Sequence, residues 1–171
     1  MEFNNRPSPN SHYKLNKIFY LGEETIIKEI LPTMINAKNM QAVLELARSK
    51  ETLDVAIIAM GDEITVTTVN CVDDDYDPTA HAPMLALREL GAMTHQTTFP
   101  GYSLYTPMEP CPMCAIASLQ AGLEGIYYGL PDKKRPEALR VDALAHAYKS
   151  KARILGGVQQ DEVQKLMEEL K

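Results

Sequence analysis

The sequence predicts an α/β fold built on a mixed sheet with helices on both faces, and three observations lead there. The chain has 171 residues with 45% hydrophobic composition, which suits one globular domain with a real core and leaves no room for a second full domain. Two apolar strand-like runs, "LDVAIIAM" and "EITVTTVN", flank Gly61-Asp62, the residue pair of a hairpin turn. After that hairpin, strand and helix patterns alternate to the end of the chain, the order expected of a sheet covered on both sides.

In chain order, the start "MEFNNRPSPNSHYKLNK" clusters Asn, Pro and Ser before Tyr13 and is expected to be loose. A helix is predicted around Glu24 to Leu31, a break at Pro32, and a second helix from Thr33 to Lys50 with Met40, Val43, Leu44 and Ala47 as its apolar stripe. The hairpin follows, then "CVDDDYDP" as an acidic loop. A helical pattern runs from Ala80 to Met93, "YSLYT" reads as a short strand, a helix spans the C-x-x-C of Cys111 and Cys114, and "GIYYG" is a strand. "PEALRVDALAHAY" has helical spacing, "ARIL" is a short strand, and "DEVQKLMEELK" is a terminal amphipathic helix.

The net charge of -6 gives no electrostatic case for wrapping nucleic acid. Lys133-Lys134-Arg135, with Arg140, Lys149, Lys151 and Arg153, is locally basic and reads as a solvated helix face. The N-terminus lacks the apolar core of a signal peptide and no run is long enough to cross a bilayer, so a cytoplasmic protein without membrane contact is expected. Three cysteines, two of them as C-x-x-C, suit metal binding or redox work better than a disulfide framework, with Cys71 left over.

His81, Cys111 and Cys114 offer one imidazole and two thiolates, the ligand set of a three-point zinc site whose fourth position stays open for water. Two cysteines three apart at a helix start point to one side, where the helix N-terminus stabilises thiolates. Pro110 and Pro112 stiffen the approach and forfeit amides that lack helical partners there anyway. His81 would come from the start of the neighbouring helix.

The flanks carry a resemblance. "DPTAHA" before a Leu/Ala-rich helix, "LYTPMEPCPMCA" further on, and the closing "LGGVQQDEVQKL" resemble the cytidine deaminase superfamily, nearest its guanine deaminase and bacterial tRNA adenosine deaminase branch. The resemblance runs from about Met40 to the C-terminus. It implies a three-layer α/β/α fold with a mixed five-stranded sheet over residues 36–171, preceded by an extension over residues 1–35. It also implies one Zn2+ per chain on His81, Cys111 and Cys114, a base-binding role for Asn70 at the end of the second strand, and a homodimer. Asn70 has a plainer reading as a strand-end turn residue. Cys71 has no counterpart as a ligand and reads as a small buried hydrophobe near the pocket. The partner implied is a small-molecule base or nucleoside; tRNA is a possible partner that the net charge does not favour.

The departure is Pro83. In the family the residue two after the histidine is a glutamate that moves protons between the water, the ring nitrogen and the leaving ammonia, and proline has no group for this. Along a helix the face of Pro83 holds Ala86, Leu87 and Leu90, all apolar, while Glu89 is turned away by about 240°. Glu109 is the remaining weak candidate, although active members of the family also carry a glutamate there. Asp73, Asp74, Asp75 and Asp77 lie on a loop that could bend inward. Two readings follow: a zinc hydrolase deaminating a purine-like base or nucleoside with impaired or lost activity, and a non-catalytic zinc-containing subunit or ligand-binding protein.

Overall fold

The computed structural model describes the backbone from residue 23 to residue 171 and side chains from residue 33 onward. The expected loose N-terminal segment lies outside the described residues. The chain falls into two units, Met1–Met34 and Ile35–Lys171, and the architecture that follows belongs to the second.

Helix α1 (Glu23–Lys50) is one element rather than two, so the expected break at Pro32 does not occur. Proline costs one backbone bond and some clash within a helix, and the regular pattern on both sides outweighs that loss. Met40, Val43, Leu44 and Ala47 are each fully buried, as the i, i+3, i+4, i+7 spacing demands. Strands β1 (Val55–Met60) and β2 (Glu63–Val69) pair antiparallel through a two-residue loop in which Gly61 takes φ +59°, a left-handed angle that a side chain would oppose. The acidic loop contains a one-turn helix α2 (Val72–Asp75). Helix α3 (Ala82–Thr94) follows, then β3 (Tyr102–Met108), α4 (Pro112–Gln120) and β4 (Gly125–Leu130). A 3-10 turn (Glu137–Leu139), α5 (Val141–Ala147), β5 (Arg153–Leu155) and α6 (Gln160–Glu169) complete the chain.

The five strands form one mixed sheet in the order β2-β1-β3-β4-β5, antiparallel through β3 and parallel from β3 to β5. Strand β1 lies inside the sheet and is apolar along its length because both faces are covered. Ala56 and Ile58 face a core shared with α3, α4 and α5, through Ala86, Leu90, Ala115, Leu119 and Val141. Val55, Ile57 and Ala59 face the other core, shared with α1 and α6 through Met40, Leu44, Val163 and Leu166. This period-two division is what makes three layers. Gly129 of β4 admits α6 at close range, since a methyl group there would collide with Val163 Cγ2 and the Pro107 carbonyl.

Two expected elements are shaped differently. The helical spacing of "PEALRVDALAHAY" is split, because Arg140 is extended at φ -76°, ψ 154°. The reason is local: the Val141 N–H donates to Glu109 Oε1 at 3.0 Å, so a buried carboxylate claims the amide and starts a new helix. Helix α3 begins at Ala82 rather than Ala80, with Ala80 N–H donating to Asp77 O and Cys71 N–H to Ala80 O in the turn before it.

Candidate metal centre

Three features of the fold meet at one end of the sheet. Helices α3 and α4 both start there, with His81 and Cys111 as their N-cap residues in extended conformation and Cys114 in the first turn of α4. Their amides face the same space, and proline stands in the first turn of each helix where its missing N–H costs nothing. Pro83 is therefore compatible with a regular first turn. Buried Thr68 on β2 donates its hydroxyl to the Ala82 carbonyl at 2.7 Å and ties the start of α3 to the sheet.

The ligand atoms of His81, Cys111 and Cys114 lie within 4.8 Å of one another, with Cys111 Sγ 3.7 Å from His81 Nδ1. A tetrahedral zinc with sulfur at about 2.3 Å and nitrogen at about 2.0 Å spaces its ligand atoms about 3.5 to 3.8 Å apart, so the Cys111–His81 pair already stands at that spacing and the donor types suit the ion. The two thiols pull each other apart: the neighbouring Cys114 thiol holds Cys111 well below the ordinary thiol range, while Cys111 and burial push Cys114 up. Zinc bound to these three residues would supply Lewis-acid activation of a water nucleophile.

The triad borders a cavity of about 260 Å³ whose wall includes Val55, Asn70, Ala82, Pro83, Thr106 and Met108. Pro83 is buried and presents only its ring there. Ala86 and Leu90 on its face are buried in the core and Leu87 packs against it, while Glu89 is exposed, so α3 carries no substitute carboxylate. Asn70 lines the cavity as expected, and its Oδ1 also accepts the Val72 N–H at 2.8 Å, which makes it a strand-end turn residue as well.

Glu109 lies beside the cavity, but its carboxylate is committed. Oε1 accepts the Val141 N–H and Oε2 the Asp132 N–H, both at 3.0 Å, with Arg135 and Arg140 at 3.6 and 3.8 Å. It pins the loop after β4 to the end of β3. Glu109→Gln would set an amide N–H2 against one of those donors and leave Arg135 short of a partner, so unfolding in denaturant should show a loss of about 3 kcal/mol. An unchanged midpoint would show that the carboxylate is not structural. Asp73, Asp74 and Asp75 are exposed on α2 and do not bend inward, and Asp77 is spent on Thr79 and Arg88. Cys71 is only half-buried and is not among the residues lining the cavity, contrary to the expectation of a buried hydrophobe; its thiol donates to Val69 O at 3.5 Å.

Sequence reasoning missed Asp54, Asp132 and Arg135 in the cavity lining. The signal was present in part, because an acid directly before a wholly apolar strand (Asp54) or just after one (Asp132) stands where strand ends open onto a ligand crevice.

Residues 34–130 match the family described as the cytidine and deoxycytidylate deaminase zinc-binding region, more than half of the chain. The chain belongs to this family. A tRNA-specific adenosine deaminase from Aquifex aeolicus is 38% identical over 79 residues, covering 46% of this chain and 52% of that protein. The chloroplastic tRNA(adenine(34)) deaminase of Arabidopsis thaliana is 33% identical over 96 residues, covering 54% of this chain and 7% of its own length. The alignments thus span about half or less of these curated relatives. Among solved structures, a guanine deaminase from Nitrosomonas europaea shares the fold at TM-score 0.65 and 23% identity, covering 77% of this chain and 81% of that one. The family's fold is therefore this mixed five-stranded α/β sheet, as the sequence predicted. No described helix is long and apolar enough to cross a membrane.

Proposed function

We propose that residues 36–171 form a zinc-binding deaminase unit that takes a purine-like base or nucleoside, and that its hydrolytic activity is impaired or lost because Pro83 replaces the proton-moving glutamate. The observation that carries this is a His81, Cys111, Cys114 triad opening onto a cavity whose wall at the critical position is a proline ring. Hydrolytic deamination exchanges an exocyclic amine for water and needs one proton moved to the ring nitrogen and another to the departing nitrogen. Asn70 would hold the base through its side-chain amide, and Val55, Ala82, Pro83 and Met108 would enclose its apolar faces. A cytoplasmic homodimer accompanies this reading.

A second reading, a non-catalytic zinc-containing subunit or ligand-binding protein, draws on the same wall: Pro83 offers no proton, and Glu109 and Asp132 are held by backbone amides and arginine. Zinc content measured together with ammonia release from a panel of bases and nucleosides separates the two. Zinc with slow ammonia release supports an impaired enzyme, and zinc with none supports the binding protein. A metal-free chain of equal stability would sink both.

RNA binding is expected to be weak and to vanish as salt rises. The basic run is shorter in space than in sequence, because Arg135 is only 10% exposed and pairs with Asp132 and Glu109, leaving Lys133 and Lys134 outward. Filter binding of tRNA across a salt series tests this, and tight binding that survives high salt would overturn it.

A further inference from the structure

Three carboxylates line the cavity: Asp54, Glu109 and Asp132. Two are spent. Glu109 accepts two backbone N–H bonds, and Asp132 accepts the Lys134 N–H at 3.1 Å through Oδ1 and pairs with Arg135 at 3.2 Å through Oδ2. The Asp54 carboxylate has no partner among the described residues, although its backbone is held firmly. The Asp54 N–H donates to Thr52 Oγ1 at 3.1 Å, and its carbonyl accepts the Asn70 N–H at 2.9 Å. Asp54 and Asn70 therefore sit side by side, one just before β1 and the other just after β2, both on the cavity wall. Asn70 Oδ1 is taken by the turn, so its contribution to a ligand is the Nδ2 donor.

Within the deaminase reading, on which this inference rests, we infer that Asp54 is a specificity-determining residue: its carboxylate accepts a hydrogen bond from an N–H or N–H2 group of the bound heterocycle, beside the Asn70 donor. The pairing of a charged acceptor with an adjacent amide donor selects a ring that presents a donor next to an acceptor along one edge. Charge points the same way. Glu109 and Asp132 are offset by Arg135 and Arg140, so among the described residues the uncompensated carboxylate of the lining is Asp54, which favours an amino-bearing base beside it. The backbone of Asp54 is held at both its N–H and its carbonyl, so the carboxylate swings about a fixed Cα beside Asn70.

The test is equilibrium binding to the zinc-loaded chain, which requires no turnover. The probes are 2-aminopurine, 2,6-diaminopurine, hypoxanthine and adenosine, each compared with a counterpart methylated at one N–H. Asp54→Asn, which keeps the shape and loses the charge, should weaken amino-bearing probes by about tenfold or more, and Asp54→Glu should recover most of that loss. Methylating the N–H that Asp54 reads should weaken binding to the parent and not to Asp54→Asn, because the two changes remove one interaction. The side chain is exposed at the cavity mouth, so the variants are expected to fold. Equal affinities in the parent and Asp54→Asn for every probe would overturn the inference and leave the deaminase reading standing. A parent that binds none of the probes would overturn that reading, and the inference with it.

Discussion

Pro83→Glu is expected to raise ammonia release by about 100-fold to 10,000-fold on one member of a base and nucleoside panel, the range a positioned acid-base group supplies. The structure makes the substitution clean. Pro83 is the second residue of α3, in a first turn that is already regular, and it is buried against the cavity that holds His81, Cys111 and Cys114. A glutamate there needs no change of backbone. It gains an N–H that lies among the free amides of the turn, and a carboxylate near a helix N-terminus is stabilised by the helix dipole. The side chain would enter the cavity that Ala82 and Thr106 also line. His81 is two positions away, so zinc content must match in parent and variant before rates are compared. Strong activity already in the parent would show that another group carries the protons. Equal inactivity in both forms would favour the binding-protein reading.

Cys114→Ser is expected to abolish stoichiometric zinc and to destabilise the chain by on the order of 4 kcal/mol or more, because metal affinity is part of the folding free energy where a site joins two elements. Cys114 is 1% exposed and lies where α3 and α4 converge, so loss of the metal would remove the direct tie between the two helix starts and leave only the Thr68 bond to Ala82 and the core packing to hold them. Cys111→Ser should lose zinc as well, with a smaller direct packing cost since Cys111 is half-buried. Denaturant unfolding with and without a chelator reads the effect. The chelator should bring the parent down to the variant's midpoint and leave the variant unmoved. A variant that keeps full zinc, or a parent indifferent to the chelator, would remove the metal from the account of this fold.

What the sequence by itself determined follows from short-range rules. The stripe of Met40, Val43, Leu44 and Ala47 is buried because helical spacing puts those residues on one face whatever surrounds them. The hairpin at Gly61-Asp62, the wholly apolar β1 and the paired helix starts at His81 and Cys111 were legible for the same reason, since turn chemistry, strand period and capping depend on neighbours in the chain. So was the cluster of His81, Cys111 and Cys114, because side chains able to ligate a metal at helix starts are a local pattern repeated in two places. Other features depended on partners far away in sequence. The break at Arg140 exists because Glu109, on another strand end, takes the Val141 amide. The commitment of the Glu109 carboxylate rests on that same bond and on the Asp132 amide. Asp54 joins the cavity only because β1 runs antiparallel to β2 and β3, so the start of β1 lies beside the ends of the other two. Strand order and register are set by the summed burial of both sheet faces, a long-range balance that no short stretch of sequence contains. The three side chains that cluster could therefore be read from the chain, whereas which carboxylates are spent and which one stays free was decided by the tertiary structure.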